Sequence, residues 1–447
     1  MDRPNQLDHK IWGIAWPAIL SNISIPLLGL VDAAILGHLG STSYLAAVAV
    51  GTALLSFLYW GFSFLRMGTT GLVARAMGAK EEAAAFAVLV QSMLLALVIS
   101  VAVIALHPLW LAGGFALMSP QADLLPLAAS YAGIRIYSAP AVLVTYTIIG
   151  WFIGRQNTRW PLVIVVTTNV INIGLDWLLI LGLGLQSDGA AIATVCAEYT
   201  GCAIALLIVW KTLPHAISVR KATSAGSVST YFRLLRSNQY LFVRTVCLLF
   251  SFAFFTAMGD KLGSDTLAAN ALMIQLVMLA AYATDGFAFA AEGLAGDRLG
   301  AGDLDGFYAA ARRCGWWCAV VSIVISAAFL LLKTPLITLL SDLPQVREIM
   351  SAHYLWLVAL PVLAAPSYWL DGVFIGSAET RYMMTTMVFS VFIIYLPLWY
   401  LTTGLGNHGL WLAFLGFNLA RGVTLYRHYR RLSRHHGWLP QSAAANR

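Results

Sequence analysis

The chain has 447 residues, of which 60% are hydrophobic and 11% charged. A soluble domain is about a quarter charged, so this composition excludes a water-soluble globular protein. The formal net charge of +7 is not a nucleic-acid signature, because most of the excess Lys and Arg falls in short loops and the tail.

The apolar runs are long and continuous, which defines an all-α polytopic membrane protein and excludes a short-strand β-barrel. In chain order, twelve spans are predicted at about 12–37, 43–72, 85–112, 124–153, 160–184, 189–212, 231–261, 265–293, 306–333, 346–376, 382–403 and 408–430. Several exceed the ~20 residues that cross a bilayer, so tilts, kinks or projecting ends are expected. The first run follows a polar N-terminus and lacks a small-residue cleavage site, which predicts a retained helix and not a signal peptide.

Arg75 and Lys80, Arg155 and Arg159, Lys211, Arg220 and Lys221, Arg298, Arg312 and Arg313, then Arg381 occupy alternate loops. The tail adds Arg427, Arg430, Arg431 and Arg434, while the loops around 38–42, 185–188 and 404–408 have no Lys or Arg. The positive-inside rule therefore puts both termini in the cytoplasm, with Lys261, Lys333 and Arg347 as exceptions. Cys196, Cys202, Cys247, Cys314 and Cys318 lie in or beside apolar segments and read as small packing residues.

Residues 213–230, "LPHAISVRKATSAGSVST", are polar, basic and Ser/Thr-rich. They form a predicted cytoplasmic linker between an N-lobe at 1–212 (spans one to six) and a C-lobe at 231–430 (spans seven to twelve). A basic cytoplasmic tail follows at 431–447. The halves match at a constant offset of 222 residues: "LAAVA" at 45–49 with "LAANA" at 267–271, "GLVARAMGA" at 71–79 with "GLAGDRLGA" at 293–301, and "FIGRQNTR" at 152–159 with "FIGSAETR" at 374–381. "GLG" at 182–184 matches "GLG" at 404–406. Six spans per repeat is an even number, so both halves enter the membrane in the same direction. The expected fold is two six-helix bundles related by a pseudo-twofold axis near the membrane normal, with a cavity between them.

Ionisable groups interrupt the apolar runs. An ionised Asp at the bilayer centre costs about 2.5–3.5 kcal/mol on insertion scales. Protonating a reference Asp at pH 7 costs about 4 kcal/mol. The near-equality leaves such an Asp poised between its two forms, which suits a proton-coupled carrier. Asp32 lies in span one, beside Pro26 and Gly29, and Asp176 in span five. Asn169, Asn172 and Asp176 share one helix face by their i, i+3, i+7 spacing. Thr194 and Glu198 do the same in span six. The C-lobe carries Arg244, Asp285, Glu292 and Asp371; Arg66 and Arg135 lie in spans two and four. A buried Arg beside a carboxylate forms a pair that stays ionised and does not cycle protons. At the 222 offset Asp32, Asp176, Asp285 and Asp371 fall on Phe254, Leu398, Ser63 and Ile149. The scaffold repeats and the ionisable groups do not. No GxxxxGK[ST] phosphate loop, HExxH or clustered His/Cys set is present, so neither ATP nor a metal cofactor is expected. No motif supports an enzyme.

These residues bear a resemblance. "NISIPLLGLVDAAILGHLG" in span one, "FLRMGTTGLVARAMGAK" after span two and "NVINIGLDWLLILGLG" in span five are similar to the multidrug and toxic compound extrusion (MATE) family, in its DNA-damage-inducible F-type branch. "AAIATVCAEY", "YATDGFAFAAEGLAG" and "YWLDGVFIG" extend the likeness over essentially the whole chain. The resemblance implies a twelve-helix, two-lobed antiporter of a bacterial-type inner membrane that expels organic, often cationic, compounds. Asp32, Asn172, Asp176 and Thr194 match the family's first-lobe cation-coupling positions, and Tyr131 is a candidate for a helix-four Tyr that joins them. Asn169 and Glu198 are supporting polar groups. Sodium-coupled relatives use second-lobe acids on helices seven and ten; Asp371 fits the second of these, whereas span seven offers Arg244. The expected function is efflux of small organic molecules in exchange for protons, with sodium as the alternative ion, by a monomer in the lipid bilayer without cofactor or nucleic acid. The competing reading is a lipid-linked glycan flippase of the same superfamily, with Arg66, Arg135 and Arg244 in a cationic cavity for a pyrophosphate.

Overall fold

The computed structural model describes residues 4–37, 42–118, 121–213, 228–435 and 437–438. Most of the predicted linker, with Arg220 and Lys221, and most of the tail beyond Arg434 lie outside the described residues. Eleven described helices are long and apolar enough to cross a membrane. These are α1 (Asn5–Gly37), α2 (Ser43–Gly78), α3 (Glu82–Ala105), α4 (Leu125–Gly154), α5 (Arg159–Gly182) and α6 (Gln186–Thr212) in the first half. The second half has α7 (Leu234–Asp260), α8 (Ser264–Gly300), α9 (Leu304–Leu331), α10 (Pro344–Gly376) and α11 (Thr380–Leu401). The twelfth predicted span is α12 (Asn407–Arg434), whose apolar first part gives way to a run of arginines. In hydrocarbon only a helix satisfies all its own backbone groups, which is why every apolar run becomes one.

Boundaries moved where chain chemistry overrode hydropathy. The third run ends at Ala105 and turns into a separate helix, His107–Met118; the ninth ends at Leu331 and turns into Lys333–Leu340. α9 starts where the Asp303 carboxylate accepts from the Gly306 N–H at 2.8 Å, an N-cap for otherwise orphaned donors. α10 begins with Pro344 in its first turn, where the missing N–H is harmless.

The repeat is written in the backbone as well as in the letters. Left-handed residues recur as pairs 222 apart: Lys80 (φ 59°) with Gly302 (φ 72°), Gln156 (φ 59°) with Ala378 (φ 58°), and Gly184 (φ 67°) with Gly406 (φ 57°). Four of the six turns fall just after α2, α8, α4 and α10. Two of the pairs involve side chains that disfavour this conformation, so the turn is set by the helices it joins. Close helix crossings recur too. A Cβ on Gly150 would lie 2.4 Å from the Arg66 carbonyl, and one on Gly372 2.3 Å from that of Ala288. Gly372→Ala is expected to cost about 1–3 kcal/mol by overpacking and to lower the melting temperature in detergent. Gly133→Ala, where a Cβ meets nothing within 4 Å, should leave it unchanged; equal effects would refute this account of the crossing.

Contacts divide the chain into two compact units. The N-unit holds Leu20–Val73 and Glu81–Leu235; the C-unit holds Met1–Ile19, Ala74–Lys80 and Arg236–Arg447. The expected lobe boundary at 212 is thus crossed by two segments, the start of α1 and the end of α2, both grouped with the second half. Their side chains explain it. Arg313 donates two hydrogen bonds of 2.6 Å to Asp8, and Trp317 donates a third at 2.9 Å. Trp12 packs edge-on against Phe287 and Trp317, each at 5.1 Å. At the end of α2 a Cβ on Gly78 would lie 1.8 Å from the Asp297 carbonyl, and one on Gly300 2.0 Å from that of Arg75. Residues 75 and 297, like 78 and 300, are equivalent in the repeat, so the crossing is locally symmetrical.

Candidate coupling site

In the N-unit, α5 carries Asn169, Asn172 and Asp176 down one face. Asp176 and Asn172 are fully buried, at 0% and 1% exposure. The Asn172 amide donates to Asp176 Oδ2. One turn earlier the Asn169 amide donates to the Ser24 carbonyl of α1 at 3.1 Å, which sets the rotation of α1 against α5. Asp32, two turns further along α1, is thereby brought beside the Asp176 carboxyl. Asp32 Oδ1, Asp176 Oδ1 and Asn172 Oδ1 are buried acceptors that no described donor reaches. Immediately after Asp176 the helix widens into a π-helical segment, Trp177–Gly182, a departure frequent at functional sites.

Thr194 turns back on its own helix, its hydroxyl donating to the Ala190 carbonyl at 2.9 Å. Tyr131 is 4% exposed and shares a 2.9 Å hydrogen bond with Thr52. Glu198 is engaged by Arg135 of α4 at 3.0 Å. Tyr59 completes this second cluster, with its hydroxyl 3.3 Å from the Arg135 carbonyl and 3.2 Å from Ser138 Oγ. Arg135 also lies within electrostatic reach of both Asp32 and Asp176. The N-unit thus assembles three carboxyls and one guanidinium from four helices.

The C-unit is built differently. Arg244 of α7 and Arg421 of α12 both donate to the same oxygen of Asp371 in α10, Arg421 at 2.9 Å. All three are buried, at 5%, 3% and 7% exposure. Arg421 also reaches Asn418 at 3.4 Å and stacks over Phe417 at 5.4 Å. Asp285 shares the neighbourhood of Tyr368 with Asp371 and Arg421. Glu292 is buried in α8 where Gly376 of α10 crosses it. Arg421 was not among the residues expected here. Its signal was an Arg, three residues after Asn418, in the last predicted span.

A dozen spans in a repeated pair of six, carrying buried carboxyls, are the architecture of a membrane transporter. The MatE family description matches residues 17–178 and 241–401, most of both halves, and the chain belongs to the MATE family of multidrug and toxic compound transporters. It is 39% identical to DNA damage-inducible protein F of Escherichia coli (strain K12) over 441 residues, covering 96% of this chain and 94% of that one. It is 28% identical to the chloroplastic Protein DETOXIFICATION 44 of Arabidopsis thaliana, covering 94% and 81%. The fold is similar to that of a MOP superfamily transporter from Pyrococcus furiosus, with a TM-score of 0.86, 20% identity and 95% of each chain covered. It is also similar to a mutant of the Vibrio cholerae MATE transporter VcmN, with a TM-score of 0.84, 22% identity and 97% and 98% covered.

Proposed function

We propose that the protein exports organic, often cationic, compounds in exchange for protons, by alternating access, as a monomer in a bacterial inner membrane with both termini in the cytoplasm. The observation that carries this reading is the contact between Asp32 and Asp176 beside buried acceptors without donors. Charge counting gives the exchange rule. Glu198 is matched by Arg135, so the Asp pair is neutral when it holds two protons, or one proton and a monocation. A cationic substrate and a proton then compete for one position. Protons arriving from outside release the substrate, and their loss to the cytoplasm restores the binding form.

Protons are favoured over sodium because the second-lobe acid that a sodium site would use, Asp371, already has two guanidiniums on one oxygen. The flippase reading is weakened by the same pairing: Arg135 and Arg244 are engaged by carboxylates and are poorly placed to hold a pyrophosphate. The test is efflux of a dye panel from proteoliposomes with pH and sodium gradients imposed separately. A pH gradient alone is expected to drive export; export driven only by sodium would overturn the choice of ion.

A further inference from the structure

At the arginine-rich end of the C-unit, the first turns of α9 and the last turns of α10 and α12 line an open cavity of about 490 Å³. Its rim is Arg312, Arg430 and Arg434, and its wall includes Tyr308, Trp369 and Tyr429. A second recess of about 240 Å³ shares Arg430 and Arg434 and adds Arg427 and Arg431. Among the described residues none of these five arginines is ion-paired with a carboxylate. The wall is rigid. The Trp369 indole N–H donates to the Ala311 carbonyl at 2.7 Å and its ring stands 5.9 Å from that of Tyr429. Trp438 folds back onto Phe307, Phe374 and Tyr429 at 5.0, 5.5 and 5.6 Å and donates to Ser433 Oγ at 3.1 Å. Tyr308 donates to the Ser433 carbonyl at 3.4 Å.

We propose that this cavity is a binding site for a phosphate-bearing amphiphile, the chemistry of an anionic phospholipid headgroup. Three features carry the assignment. The cations are all arginines, whose fork matches phosphate oxygens in pairs, as the point charge of Lys does not. A positive-inside signal needs charge alone; this cluster adds an open cleft with an aromatic wall, which suits the glycerol and upper acyl chain beneath a phosphate. Its place at the ends of three membrane helices puts it at headgroup level, where basic pockets between helices recruit anionic lipid. Occupancy would tie α9, α10 and α12 together and stabilise the C-unit by linkage. The site is independent of which ion drives transport.

The experiment uses the full chain in zwitterionic detergent. Phosphatidylglycerol, phosphatidylcholine, glycerol 3-phosphate and inorganic phosphate are each titrated, and melting temperature and lipid adducts in native mass spectra are read. Wild type is compared with Arg312→Gln/Arg430→Gln/Arg434→Gln and with a charge-matched control, Lys80→Gln/Arg159→Gln/Lys211→Gln. Phosphatidylglycerol should bind wild type and control alike and the site variant about tenfold more weakly, the loss expected for charged hydrogen bonds. Equal stabilisation by glycerol 3-phosphate would keep the site and make its ligand a soluble phosphate ester. Equal phosphatidylglycerol binding by all three proteins, or equal loss in the control, would overturn the proposal. If the triple variant fails to fold, Arg430→Gln alone is titrated against the same criteria.

Discussion

Asp32→Asn and Asp176→Asn should each reduce pH-driven efflux to the leak rate while leaving the protein folded. The reason is electrostatic and local. The two carboxyls lie side by side in the N-unit, and Asp176 is fully buried. An amide there has nearly the same size and still hydrogen-bonds, so the helices remain in register, but it can neither release a proton nor balance a cation. Pairing worth about 1.4 kcal/mol is already a factor of ten in occupancy, so a loss of at least about tenfold is expected in each variant. Substrate-dependent proton release on binding should vanish with it. Size-exclusion profiles and melting curves separate this outcome from misfolding. Normal pumping on a pH gradient by both variants would sink the mechanism.

The second large effect belongs to the C-unit, and it is on stability. Asp371→Asn leaves Arg244 and Arg421 facing each other in the bundle without their shared carboxylate. Removing one partner of a buried ion pair costs about 3–5 kcal/mol, because the remaining charge has been taken out of water. Poor expression and a much lower melting temperature are expected. Replacing the whole cluster, as Arg244→Met/Asp371→Leu/Arg421→Met, removes all three charges together and should recover most of that loss. If the refolded triple variant also exports dye on a pH gradient, the cluster is a structural tie. If Asp371→Asn is as stable as wild type, the buried pairing is not what holds α7, α10 and α12 together.

The contrast between the two sites shows how far letters alone reach. Asp32, Asp176, Asp371 and Arg244 all stand out from the sequence in the same way, as charges in apolar runs. Nothing local separates a carboxyl left for a proton from one held by two guanidiniums. That distinction needs the partner, and the partners lie on other helices. Asn172 was legible because it shares a helix face with Asp176 four residues away. Thr194 shared a face with Glu198, yet its hydroxyl bonds its own backbone, since a Thr in a helix always has a carbonyl one turn earlier within reach.

The sequence by itself determined the class of protein, its helical spans and its doubled architecture. Hydropathy and the 222-residue repeat are properties of the chain read in order, and a bilayer leaves an apolar run little choice but helix. Tertiary structure alone decided that Asp32 meets Asp176, that Glu198 is matched by Arg135, and that Arg421 joins Arg244 on Asp371. It also decided that residues 1–19 and 74–80 group with the second half. These depend on the rotation and crossing of helices, set by contacts such as Asn169 on Ser24 and Gly78 against Asp297. Such contacts join residues far apart in the chain, so no local pattern encodes them.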